Sequence, residues 1–383
     1  MIRRAAAMLA LALAFMAAAA PVAARPVANG DAVAAAARAA MRQTGARGLA
    51  IAVIDRGRVR SVQAFGARNA RGDPLTTGTV MYGASLTKAV FGYYAMMLVD
   101  AGRLRLDAPI AAMLPRPLPD YGNLDAYGNW GDLAGDERWR RVTPRHVLNH
   151  ATGFANFAFL EPDRRLRFHF DPGARYGYSG EGIMLLQFGI ERGLGIDLGA
   201  DLERRIFAPL GMRSTSLIWR PDFAADLADG WTAEGQLEPH DERSRVRAAG
   251  SMDTTIADMA RFTAAMARGW GLSRGARAAF ARGTLAITTR SQFPTLQPEA
   301  PPAQRPAIRA ALGVIAFDGP QGPGFYKGGH NDSTGNTMVC LERGRRCVVI
   351  LANDVRAERA FPGLVRAVLG ETGAPWMWEY GFE

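Results

Sequence analysis

The sequence predicts a mixed α/β fold of the α+β kind: an antiparallel β-sheet built from both chain ends and flanked by helices, with a mostly helical subdomain inserted between them. Three observations predict it. An apolar hairpin pattern stands near the start, at 48–66; the stretch from Ser85 to about residue 215 has helical spacing and little strand signal; and apolar runs return after residue 310. With 383 residues, 48% of them hydrophobic and 21% charged, the composition is that of a globular chain able to bury a large core.

Residues 1–24 carry two arginines, an apolar run from Ala5 to Ala20 and small residues at Val22 and Ala24, the pattern of a secretory signal peptide cut after Ala24. The expected location is therefore periplasmic or secreted, with the fold in 25–383. No later segment reaches the roughly 18 uninterrupted apolar residues of a membrane span, and no cysteine near the cut offers a lipid site, so a stable membrane anchor is not expected. "DAVAAAARAAMRQTG" reads as a helix closed by Gly45, and "GLAIAVIDRGRVRSVQAFG" as a hairpin turning at Asp55 to Gly57. Helices are expected at 86–102, 144–150, 180–193 and 199–207, and "DTTIADMARFTAAMARG" adds an amphipathic one. "AALGVIAF", "TMVCLE" and "RCVVILAN" read as strands before a last helix at 362–369. The sheet region then takes about 25–84 and 240–383, and the helical region about 85–239, so no single cut divides the chain. The short "QPEAPPAQRP" at 297–306 reads as a surface loop.

The formal charge is +10, or +8 without Arg3 and Arg4, and the arginines are scattered rather than interleaved with aromatics. Nucleic acid is a poor fit to that pattern, whereas weak attraction to anionic envelope polymers is allowed. Cys340 and Cys347 bracket "LERGRR", a turn across which they could pair in an oxidising compartment; two buried free thiols are the alternative.

Of 46 basic residues only Lys88 and Lys327 are lysine. A guanidinium satisfies any site that needs only positive charge, whereas an ammonium gives up its proton when desolvated or crowded, so a surviving lysine is a candidate base. Ser85 lies three residues before Lys88, on the same face of the expected helix and at its N-terminus, where unpaired N–H groups and the macrodipole favour a developing negative charge. A hydroxyl there becomes a nucleophile once a depressed lysine takes its proton. The bland reading makes Ser85 an N-cap and Lys88 a solvated residue.

Around these two, "MYGASLTKAVFGYYAMMLVDAGRLRLDAPIAAMLP" resembles the active-serine helix of the penicillin-recognising serine hydrolases, in the class C β-lactamase and family VIII esterase branch. "TPRHVLNHATGFANF", "DPGARYGYSGEGIMLLQFGIE" and "AAGSMDTTIADMARF" resemble three further segments of that family, in family order, and the likeness runs from about residue 40 to the end. The resemblance implies a β-lactamase/transpeptidase-like fold and an acyl-enzyme on Ser85. Lys88 and Tyr178 would move protons, with no metal or organic cofactor. It implies a small-molecule or peptide substrate and leaves the oligomeric state open. The asparagine usual two residues after the tyrosine is replaced by Gly180, which has no amide to hold substrate; this favours an ester or D-amino peptide over a β-lactam.

For the third family word two registers compete. In one, Lys327-Gly328-Gly329 supplies charge and close approach, and the His330 N–H joins that of Ser85 as an oxyanion hole. In the other, His330-Asn331-Asp332 takes that place, with Ser333 as donor and a carboxylate opposing the oxyanion. The lysine count favours the first. A catalytically impaired binder or sensor of cell-wall peptides is the rival function, motivated by Gly180. "GLSRG" at 271–275 matches a nucleophile elbow, but a helix precedes it where a buried strand is required. His146 and His150 are spaced like zinc ligands but lack a third, and read as structural. The RGD at 71–73 reads as turn residues.

Overall fold

The computed structural model describes residues 26–382; the signal-peptide expectation for 1–24 lies outside them. Helix α1 (Gly30–Thr44) ends at Gly45, whose φ of 71° is the left-handed conformation that a helix C-cap favours in glycine. Strands β1 (Gly48–Asp55) and β2 (Arg58–Gly66) form the expected hairpin. A two-residue strand β3 (Met81–Tyr82) leads into α2 (Leu86–Asp100). The inserted region holds α3 (Pro144–Leu148), α4 (Gly180–Phe188) and α5 (Leu198–Leu202), the last two extended by single wide turns to Gly193 and Phe207.

The chain then returns through β4 (Asp253–Thr254), α6 (Ile256–Arg268) and α7 (Arg274–Phe280) to the strands β5 (Leu285–Ala286), β6 (Ile308–Ala310), β7 (Ile315–Gly319), β8 (Gly322–His330), β9 (Gly335–Leu341) and β10 (Arg346–Ala352). Helices α8 (Phe361–Leu369) and α9 (Trp376–Tyr380) close it. The main sheet is antiparallel in the order β2-β1-β10-β9-β8-β7-β6-β5, with N-terminal strands added beside C-terminal ones as expected. The single strand expected over "AALGVIAF" is two: Gly313, at φ 91°, turns the chain, and a Cβ there would stand 2.8 Å from Lys88 O of α2.

Each face of the sheet buries one apolar cluster. On one side α2, α6 and the inserted helices pack around residues such as Phe91, Phe188 and Phe262. On the other, α1, α8 and the C-terminal segment pack around Val53, Val348, Phe361 and Trp378. Helix α2 is buried nearly all round, the mark of a central core helix, so its N-terminus is fixed from every side. Cys340 and Cys347, partners across β9 and β10, are joined as a disulfide.

Candidate active site

The turn that presents Ser85 is built from its neighbours. Strand β3 pairs with β4, and Gly83 N–H donates to Met252 O (2.8 Å), clamping the entry. Ala84 then adopts φ 46°, a left-handed conformation that costs an alanine about 1–2 kcal/mol. The Thr87 hydroxyl holds it by donating to Ala84 O (2.5 Å). Ser85 is the N-cap of α2, yet its side chain caps nothing, so Oγ is free to face the cavity.

Lys88 Nζ lies 2.9 Å from Ser85 Oγ, and Tyr178 OH 2.8 Å from the same oxygen. Lys88 is buried and its amine also donates to Ala249 O. Burial, and then the nearby Lys327, hold the Lys88 amine well below the usual lysine range. Tyr178 is the reverse: burial pushes its phenol up, and the Ser85 contact only partly counters it, so it carries its proton at neutral pH. Both lysine nitrogens sit over the Tyr178 ring, Lys88 at 5.0 Å and Lys327 at 5.3 Å. His150 packs on the same ring with centroids 4.4 Å apart, accepts Ser179 N–H at Nδ1 (3.2 Å), and is kept neutral by burial and the two lysines.

Strand β8 runs past the serine with Lys327-Gly328-Gly329 in register. A Cβ on Gly329 would stand 3.0 Å from Ser85 N and 2.8 Å from Leu86 N, so only glycine permits this approach. Just past β8, Asn331 N–H donates to Thr334 O (3.1 Å) on the β9 side, and by the alternation of an antiparallel pair the His330 N–H then points the other way, off the edge left free beyond β7. The second register fails on placement: Ser333 O accepts Trp231 N–H (3.1 Å), and neither Asp332 nor Ser333 lines the cavity beside Ser85.

That cavity, about 650 Å³, is lined by Ser85, Tyr178, Lys327 and His330 together with groups the sequence did not single out. Asn156 and Phe157 form one wall; Asn156 Oδ1 accepts Gly180 N–H (2.9 Å), and a Cβ on Gly180 would meet the Phe157 ring at 2.4 Å. The missing side chain at 180 is thus replaced by a phenyl ring, not by a void. Arg243, Arg245 and Arg247 form another wall, and Glu379 of α9 reaches the cavity from below. For Glu379 a faint signal existed, a lone carboxylate among the aromatics of "WMWEY".

The rival motifs are structural. Ser273 of "GLSRG" caps α7 and donates to Asp100 (2.6 Å). His146 completes the capping box of α3 with Thr143, and among the described residues no three metal-ligating side chains cluster. Asp73 of the RGD accepts from Arg68, Arg71 and Asn69 around a turn at Gly72. No helix of the described residues is long and apolar enough to cross a membrane.

The family model for Beta-lactamase matches residues 33–370. The chain belongs to this family. Within it, the chain is similar to the monacolin J acid methylbutanoyltransferase of Aspergillus terreus, 30% identical over 226 residues that cover 51% of this chain and 54% of that one. It is also similar to esterase EstB of Burkholderia gladioli, 29% identical over 199 residues, 45% of this chain and 47% of that one. The matches thus span about half the length of these curated relatives. Among solved structures, the D-alanine carboxypeptidase AmpC from Burkholderia cenocepacia superposes with a TM-score of 0.69 at 19% identity, covering 88% of this chain and 98% of that one. The beta-lactamase fold expected from the sequence is therefore shown.

Proposed function

We propose that the protein is an exported serine hydrolase that cleaves an ester, amide or β-lactam carbonyl through an acyl-enzyme on Ser85. The observation that carries this reading is the contact of one hydroxyl with two proton carriers of opposite bias: an amine that burial holds well below the usual lysine range, and a phenol that burial pushes up. Ser85 Oγ attacks the carbonyl carbon while its proton passes to Lys88 Nζ. The oxyanion rests between the Ser85 and His330 N–H groups, each worth about 3 kcal/mol in such sites. As the intermediate collapses, Tyr178 protonates the leaving group and is reprotonated from Lys88; water then releases the acyl group by the same steps reversed.

Among carbonyls, an ester fits best. The Phe157 ring beside Gly180 offers apolar contact where an amide would hold a β-lactam or peptide, and the likeness to an esterase and a methylbutanoyltransferase supports the same choice. Export is supported by the N-terminal pattern of residues 1–24 and by the Cys340–Cys347 disulfide. The intact contacts of Ser85 speak against the impaired-binder alternative, and turnover separates the two. A panel of p-nitrophenyl esters, nitrocefin and D-Ala-D-Ala peptides should show ester hydrolysis that Ser85→Ala abolishes, together with its labelling by a fluorophosphonate. Labelling that survives in Ser85→Ala places the nucleophile elsewhere, and labelling without turnover of any member of the panel supports the binder.

A further inference from the structure

The Beta-lactamase match stops at residue 370, yet the following segment enters the site. Helix α9 is anchored beneath β8: Trp378 O accepts Gln292 N–H (2.8 Å), Trp378 Nε1 donates to Thr289 Oγ1 (3.3 Å), and Tyr380 OH donates to Asn336 O (3.2 Å). These bonds lodge Glu379, itself buried, against the strand so closely that a Cβ on Gly328 would stand 2.3 Å from Glu379 Oε1. The Lys327 ammonium donates to the carbonyl of that same Gly328 (2.6 Å), at the free edge where both side chains line the cavity.

We propose that Glu379, lodged beside the Gly328 whose carbonyl holds the Lys327 amine, is a positioning residue that supports the charge of Lys327 at the cavity edge, a role resting on the reading of Ser85 as nucleophile. The charges around Lys327 single it out. From α2 faces Lys88, an amine that burial holds well below the usual lysine range, and from the helical region come the neutral His150 and the phenol Tyr178. From its own strand come Tyr326, a phenol that burial keeps neutral, and His330, whose Nδ1 lies 3.1 Å from Glu358 Oε1. Tyr176 is buried and Tyr380 partly so, and burial raises both phenols. Burial depresses Lys327 to about 8, and Glu379 is the group that opposes this. Burial in turn raises the Glu379 carboxyl, and Lys327, then His330, pull it back, so the two charges support each other.

Only two lysines occur in the chain, so protein labelled with [ε-13C]lysine gives two titratable signals, assigned by Lys327→Arg. Glu379→Gln keeps the shape and removes the charge; the Lys327 midpoint should fall by about one pH unit, a tenfold loss of proton affinity. Glu379→Asp, which draws the charge back by one methylene, should give an intermediate midpoint and remains informative if the glutamine variant does not fold. The alkaline limb of the kcat/KM profile should move with the midpoint. Lys327 midpoints unchanged in both variants overturn the proposal. Fluorophosphonate labelling of Ser85, followed in the same samples, reports on the nucleophile separately.

Discussion

Lys88 Nζ and Ser85 Oγ stand 2.9 Å apart in a crevice that admits almost no water to the amine. One helical turn separates the two residues, and the desolvation that lowers the amine's hold on a proton also shields it from competing donors. If the amine is the base, charge at that position is worthless without titratability. Lys88→Arg, which cannot be deprotonated, should lower kcat for an ester substrate by about 10²–10⁴-fold. Steady-state kinetics beside a thermal melt checks this, and kcat within a few fold of the unsubstituted enzyme would remove Lys88 from the chemistry.

Close approach of β8 to the helix N-terminus is the second requirement. Gly329→Ala places a methyl 3.0 Å from Ser85 N and 2.8 Å from Leu86 N, so strand and helix must part. The loss of one oxyanion donor costs about 10²–10³ in kcat, and such a fall, with fluorophosphonate labelling slowed in parallel, is the expected result.

Restoring an asparagine at 180 should not create a β-lactamase. Its Cβ would meet the Phe157 ring at 2.4 Å, so Gly180→Asn should destabilise the fold by about 1–3 kcal/mol, the usual range of overpacking. Adding Phe157→Ala should recover stability, and urea melts of the single and double variants, with nitrocefin assays, test both statements.

Lys327 also leaves a mark on stability. Its folded value of about 8 lies below the ordinary 10.5, so between those pH values the unfolded chain binds a proton that the folded chain does not. Stability should therefore rise with pH across this window, by up to about 1.4 kcal/mol per pH unit from this group. Lys327→Met should flatten that slope in urea melts taken at about pH 8 and pH 9.5.

Much of this was legible because the signals were local. The hairpin of β1 and β2, helix α2 and the spacing of Ser85 and Lys88 follow from periodicity and from three-residue geometry, and the scarcity of lysine marked both site amines. Resemblance, not periodicity, supplied Tyr178 and the strand carrying Lys327, because their placement depends on contacts 93 residues and more from Ser85. The turn at Gly313 was missed because the apolar run continues through it. Glu379 and Phe157 were missed for a different reason. Each acts by filling space beside a glycine distant in sequence, and α9 is only five residues long, too short for a helical period to show.

The charge state of Lys88 in the folded protein tests the central claim most directly. In the [ε-13C]lysine spectrum of the unsubstituted enzyme, the Lys88 signal should carry the chemical shift of a neutral amine at neutral pH and acquire that of an ammonium only on acidification. A Lys88 signal that stays at the ammonium position up to about pH 10, the value of an ordinary solvated lysine, would contradict the account.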